Sequence, residues 1–190
     1  MKVFELEGTI RPELGKKSAA NLRKQDSVPC VLYGGKENVN FFVTNPAIRD
    51  LIYTPNVYIV NLKLGKITKQ AVMREIQFHP VTDKVLHVDF YEIADDKEVA
   101  MEIPIRIVGN SVGVRKGGKI KQAKRMLKVK ALPKNLPDIL EVDITNLDVE
   151  QTIKVADLKY ENLVMLNGLR EPVVSVMASR ATAKAEAAAK

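Results

Sequence analysis

Apolar and polar residues alternate along most of this chain, and a period of two dominates over any helical period. Phe4, Leu6, Gly8 and Ile10 alternate with Glu5, Glu7, Thr9 and Arg11, which predicts a first strand with one wet face. In VPCVLY, Val28, Cys30 and Leu32 share a face, and Tyr33 ends the run beside Gly34 and Gly35. In HPVTDKVLHVDF, Leu86, Val88 and Phe90 alternate with His87 and Asp89. The apolar set is expected to face a core while His87 and Asp89 stand side by side in water.

Asn40–Thr44, Val57–Leu64, Ile67–Phe78 and Val85–Tyr91 read as further strands, with Gly65-Lys66 as a hairpin turn. Two short helices interrupt them. One runs from about Ser18 to Gln25, with Ser18 as its N-cap. The other is Pro46–Tyr53, with Asn45 as N-cap, proline at the first helical position, and Ile48, Leu51 and Ile52 buried. Ala94-Asp95-Asp96-Lys97 has no apolar face and marks a boundary. Beyond it Val99–Val108, Ile120–Ala131, Ile139–Ile144, Ile153–Val155 and Pro172–Met177 read as strands. Gly113–Gly118 reads as a glycine-rich loop, LPKNLPD as a proline-bounded turn, and Leu158–Leu166 as either helical or irregular.

The fold class that follows is mainly β with short helices: a small closed or nearly closed barrel over residues 1–93, then a second β-rich domain over 94–179. Residues 180–190 (RATAKAEAAAK) favour helix by composition but lack an apolar stripe, and are expected to form a frayed tail. A length of 190 residues suits two such domains, and 46% hydrophobic content supports real cores.

Charge adds a partner class. The net +7 favours an anion without choosing among nucleic acid, membrane and acidic protein. It divides almost evenly, +3 in residues 1–93 and +4 in 94–190, so neither half alone carries it. Within the second half, no acid occurs from Ile103 to Pro137. Arg106, Arg115, Lys116, Lys119, Lys121, Lys124, Arg125, Lys128, Lys130 and Lys134 all fall there. Such a run calls for a nearby anion, or it is simply a solvated strand face. The single cysteine excludes an internal disulfide and fits a reducing compartment. No apolar run approaches membrane-span length, and the first residues alternate rather than forming a signal-peptide core, so a soluble cytoplasmic protein is expected.

Enzyme chemistry has little to stand on. His79, His87 and Cys30 cannot form a structural zinc site at normal spacing, and no GxxxxGK[ST] loop is present. Cys30 lies between apolar strand residues, as a buried inert thiol would. His87 and Asp89 resemble two-thirds of a hydrolase triad, but residues i and i+2 of a strand project in parallel rather than toward each other. No catalytic residue, cofactor, metal or small-molecule substrate is expected.

A basic helix followed by VPCVLYGG and later by HPVTD and LHVDF resembles the 5S-rRNA-binding protein family of the bacterial large ribosomal subunit. The closer resemblance is to the long, two-domain version related to a general stress protein. It spans Val3 to about Ser179, and the two blocks together are specific where either alone would be weak. The resemblance implies a barrel that sets sheet residues in a widened RNA minor groove and the start of a helix in the adjacent groove. It implies RNA contacts from Arg11, Lys16, Arg23, Tyr33, Gly34, His87 and Asp89, with Arg74 and Gln77 as a second tier.

Each has a chemical rationale beside a plainer one. Arg11 and Arg23 can fork onto phosphates or a guanine edge. Tyr33 offers a hydroxyl and a flat face, or is a core tyrosine with a tethered hydroxyl. Gly34 lets backbone approach RNA, or is only a turn glycine. Gln77 and His87 can meet ribose 2′-hydroxyls or base edges. Asp89, repelled by phosphate, belongs there only by accepting from base N–H groups or by orienting a neighbour; otherwise His87–Asp89 is a surface pair. One departure from the family stands out, because Ala19, Ala20 and Asn21 occupy a helix that often carries several arginines. Fewer phosphate contacts there would flatten the salt dependence.

The resemblance thus implies a structural ribosomal protein bound to 5S rRNA, with the basic stretch 106–134 meeting neighbouring rRNA or ribosomal proteins. Two alternatives stay open: a stress-induced ribosome-associated RNA-binding factor, and a β-rich protein–protein adaptor whose charges only solvate it.

Overall fold

A computed structural model describes residues 2–35, 37–65, 67–94 and 96–179. Lys66 of the expected turn, Asp95 of the expected boundary and the expected tail 180–190 lie outside the described residues. The chain forms two compact units. The first runs to Val99 and takes in Leu132–Lys134; the second comprises Ala100–Ala131 and the chain from Asn135.

The first unit is a closed six-stranded barrel. Its strands are β1 (Lys2–Ile10), β2 (Ser27–Tyr33), β3 (Val39–Thr44), β4 (Tyr58–Leu64), β5 (Ile67–Phe78) and β6 (Val85–Glu92), in the order β1-β3-β2-β6-β5-β4. A parallel ladder from Lys2↔Tyr58 to Gly8↔Leu64 joins β1 to β4 and closes the sheet, so no free edge remains. Gly8 ends that ladder where space is tight: a Cβ there would stand 2.7 Å from the Phe41 ring and 2.9 Å from the Leu64 side chain. Inside, Leu6, Val28, Cys30, Leu32, Phe41, Leu62, Val88 and Phe90 form a continuous core, with the Phe41 and Phe90 rings 5.7 Å apart.

Helix α1 (Lys16–Lys24) lies against β2, and α2 (Asn45–Tyr53) adds Ile48 and Leu51 to the core, with Ile52 half-buried against it. Both expected caps are corrected. Gly15, with φ 118°, is the N-cap of α1, because this left-sided backbone lets the chain turn three residues before Ser18. The Ser18 hydroxyl instead donates to the Glu13 carbonyl. Thr44 precedes α2, while Asn45 is its first residue and donates its side-chain amide to Asp26.

The second unit is β-rich, as expected. β7 (Val99–Val108), β9 (Met126–Ala131), β10 (Leu140–Asp143) and β12 (Val164–Met165) make one sheet, in the order β10-β7-β9-β12. β8 (Lys119–Gln122), β11 (Thr152–Lys154) and β13 (Pro172–Met177) make another, in the order β11-β13-β8. The single strand expected over Ile120–Ala131 is therefore two strands in different sheets. The chain bends between them, where the Ala123 and Lys124 N–H groups both point at the Val173 carbonyl. Within the expected glycine loop, Val112–Arg115 forms a helical turn, α3, capped by Ser111, whose buried hydroxyl accepts from Val114 N–H and donates to the Leu147 carbonyl. Leu158–Leu166 is irregular except for β12.

Candidate nucleic-acid interface

Strand β6 organises the site, and two bulges shape it. Between β5 and β6 the register steps from Met73↔Phe90 to Glu75↔Asp89, so Arg74 and Glu75 together oppose one residue. Both are exposed and are turned to the outer face that Asp89 occupies. Nearer the hairpin the register steps from Gln77↔His87 to Phe78↔Val85, which leaves Leu86 as the extra residue. This corrects the expected core set. Val85 is 7% exposed and joins the core with Val88 and Phe90, whereas Leu86 is only half-buried, because the bulge shifts the alternation by one.

The bulged Leu86 carbonyl accepts from Arg23 Nε of α1 at 3.0 Å. Arg23 thus ties α1 to the strand carrying His87, and its two terminal nitrogens are left for other partners. His87 and Asp89 share the outer face, as their spacing predicts, but they do not merely run parallel. His87 Nδ1 lies 2.8 Å from Asp89 Oδ1, and both side chains keep about a quarter of their surface exposed, 26% and 27%. Gln77 stands across from His87. The triad-like pair has no nucleophile at hand in Cys30, which points into the barrel core on the other side of the sheet. Burial pushes the Cys30 thiol pKa far above its ordinary value; the Asp89 charge adds to this, and the Val88 backbone and Arg11 oppose it.

Tyr33 closes β2 beside β6 and meets Tyr91 edge-to-face, with centroids 5.7 Å apart. Gly34 follows with φ 95°, and a Cβ there would lie 2.6 Å from the Tyr91 ring. Its glycine is demanded by the fold itself, through both the turn and the ring.

Arg11 continues β1 by donating its N–H to the Asn40 carbonyl, and its Nη2 reaches Ser18 Oγ at 3.4 Å, while Nε is buried without a partner. Its guanidinium is therefore half-buried beside the first turn of α1 rather than held out to solvent. Lys16 opens α1, exposed, with no hydrogen bond or ion pair to the other site residues among those described.

The fold therefore gathers Arg23, Arg74, Gln77, His87 and Asp89 on neighbouring positions, sets Tyr33 next along β6, and leaves Arg11 and Lys16 on the helix side. Two residues went unnoticed in the sequence. Tyr91 could have been found, since it continues the 87, 89, 91 alternation. Glu75 could not, because only the bulge and cross-strand register place it opposite Asp89. The surface offers hydrogen-bond acceptors at its centre and cations at its rim, which suits groove edges flanked by phosphates.

Among the described residues, no group of three His, Cys, Asp or Glu side chains could hold a metal ion, and no helix is long and apolar enough to cross a membrane.

Comparison with known proteins gives two family matches. The Ribosomal L25p family matches residues 6–90, and the family described as ribosomal protein TL5, C-terminal domain, matches residues 98–180. The chain is 45% identical to the large ribosomal subunit protein bL25 of Porphyromonas gingivalis over 183 residues, 95% of each chain. It is 45% identical to the protein of that name from Phocaeicola vulgatus over 197 aligned residues, 100% of this chain and 99% of that one. With the Bacteroides thetaiotaomicron protein it shares 41% identity over 194 residues.

Proposed function

Because the chain belongs to the ribosomal L25p family, a family of structural ribosomal proteins rather than enzymes, we propose that it serves the bacterial large ribosomal subunit by binding 5S rRNA through the outer face of its barrel. The observation that carries this reading is the convergence at β6. Arg23 from α1, Gln77 from β5, and His87 with Asp89 are distant in sequence, yet they meet around one bulge. Donors and acceptors at the centre recognise groove edges, and Arg23, Arg74, Lys16 and Arg11 supply cationic partners for the flanking phosphates. Residues 1–93 form the RNA-binding domain in this reading. Residues 94–179 add a basic surface for neighbouring rRNA or ribosomal protein, and the protein works on ribosomes in the cytoplasm.

The test is a titration of the whole chain, and of residues 1–93, against 5S rRNA and an unrelated duplex RNA at two salt concentrations. The fragment is expected to bind 5S rRNA within about tenfold of the whole chain, a difference of about 1.4 kcal/mol, and both to prefer it over the duplex. A folded fragment that does not bind, beside residues 94–190 that do, would place the RNA site in the wrong domain.

A further inference from the structure

We propose that Asp89 is a positioning residue that locks His87 in one tautomer, and that His87 Nε2 is the atom that meets the RNA, as a hydrogen-bond acceptor. This rests on the RNA-binding reading above and assigns the roles within it.

A carboxylate only accepts hydrogen bonds, so the 2.8 Å contact puts the hydrogen on His87 Nδ1. In the neutral ring the other nitrogen then carries a bare lone pair. Free imidazole side chains in water favour the opposite tautomer, with the hydrogen on Nε2, so the fold imposes the choice. No described residue hydrogen-bonds to Nε2, which leaves it available.

The neighbouring groups agree with an acceptor. Across β5, Arg74 and Glu75 together stand opposite Asp89, and the Glu75 side chain makes no hydrogen bond or ion pair to any described residue, although like charges placed opposite each other weaken a sheet. On β2, Val31 pairs with Asp89 and contributes no polar side chain. Gln77, opposite His87, can offer its carbonyl oxygen. Arg23 Nε is already spent on the Leu86 carbonyl.

Phosphate oxygens, themselves acceptors, find nothing to bond with at His87 Nε2 or the two carboxylates. What fits is an O–H or N–H donor, either a ribose 2′-hydroxyl or a base amino or imino group. The charge-bearing phosphates belong to the cations at the rim.

The tautomer is read in the free full-length protein by ¹⁵N NMR of His87. Wild type is expected to show a protonated Nδ1 and a bare Nε2; an Nε2–H or doubly protonated ring at the assay pH overturns the proposal. Asp89→Asn retains an oxygen that accepts from Nδ1, so it should keep the tautomer and hold 5S rRNA affinity within a few-fold. Asp89→Ala should release the ring to the Nε2–H form and weaken binding about tenfold or more, as losing one well-placed hydrogen bond does. Circular dichroism checks that both variants fold.

An unchanged affinity in Asp89→Ala despite the switched tautomer overturns the proposal. So does an Asp89→Asn loss as large as that of Asp89→Ala with the tautomer kept, because Asp89 would then touch the RNA itself. Synthetic RNA fragments with 2′-deoxyribose or with inosine for guanosine separate hydroxyl from base-amino donors, whichever abolishes the Asp89→Ala effect. Wild type that shows the expected tautomer but binds no 5S rRNA brings down the functional reading and this one together, whereas the variant outcomes strike this one alone.

Discussion

On the barrel, Arg23 donates to a backbone carbonyl and Arg11 lies against Ser18, and neither meets a carboxylate among the described residues. In the second unit, Lys116 meets Asp148 at 2.6 Å, Lys128 meets Glu102 at 3.3 Å, and Lys124 is paired with Glu171. Every one of those acids lies outside the acid-free stretch Ile103–Pro137. Folding imports them, through β7 for Glu102, the segment after β10 for Asp148 and the entry to β13 for Glu171.

The expectation that the run needs an outside anion is thus met in part by the chain itself. Arg115 donates to the Asn110 carbonyl, Lys130 is engaged, and Arg106 faces Glu141 across the β7–β10 ladder. Lys119 and Lys121 are different. They sit two apart on the fully exposed strand β8, at the edge of its sheet, with no ion pair to a described residue. A one-sign stretch in a sequence is therefore not a one-sign surface. On the barrel, Lys63 and Lys69 are likewise paired, with Glu5 and Glu92, whereas Arg11 and Arg23 beside the candidate site meet no described carboxylate.

The largest test of this contrast is Phe90→Ala. Removing a fully buried ring beside Phe41 should destabilise the barrel by about 3–5 kcal/mol. Binding to 5S rRNA should fall with it, while the melting transition of the second unit stays where it was. Cys30, buried and the only cysteine in the chain, reports on the barrel alone, so its alkylation should accelerate in the variant. A calorimetric scan in which both transitions move together would break the comparison.

A smaller effect separates free from neutralised lysines. Lys119→Gln with Lys121→Gln should lower retention on salt-washed ribosomes, reducing the salt slope by about one for each phosphate no longer neutralised. Lys124→Gln with Lys128→Gln should leave retention nearly unchanged and change stability little, as exposed pairs do. Equal losses from the two double variants would show that the internal ion pairs open on the ribosome.

The smallest effect is an acid-side pH dependence of the second unit. The Lys116 ammonium and the Val149 N–H hold Asp148 below its usual carboxylate pKa, and Lys124, with Asn167, does the same for Glu171. The Thr145 hydroxyl and N–H lower Asp143. A folded pKa below the unfolded one gives stability that is complete above the unfolded value, about 4, and is lost as pH falls through the folded one. The second unit should therefore melt at progressively lower temperature below about pH 4, and Asp148→Asn should flatten that slope. A wild-type melting temperature indifferent to pH in this range would rule out the ion pairs as contributors.

Strand positions and the inner residues of the barrel were legible because side-chain alternation is a local property of a strand. Val28, Cys30, Leu32, Val88 and Phe90 declare their face through their immediate neighbours, whatever strand lies alongside. The VPCVLYGG and LHVDF blocks carried the family in the same local way. Register, by contrast, is a relation between segments. No pattern within VLHVDF reveals that β5 and β6 slip by one at Leu86, exchanging it for Val85 in the core and freeing a carbonyl for Arg23. Nor does any reveal that Glu75 faces Asp89. The spacing put His87 and Asp89 on one face, but their contact depends on side-chain rotation in the surroundings that β2 and β5 provide. The strand expected over Ile120–Ala131 divided because two sheets compete for it. The sequence determined which residues face inward and what chemistry is present; the packing of distant strands decided which of those groups meet, because hydrogen-bond geometry and charge pairing act through space over a few ångströms regardless of distance along the chain.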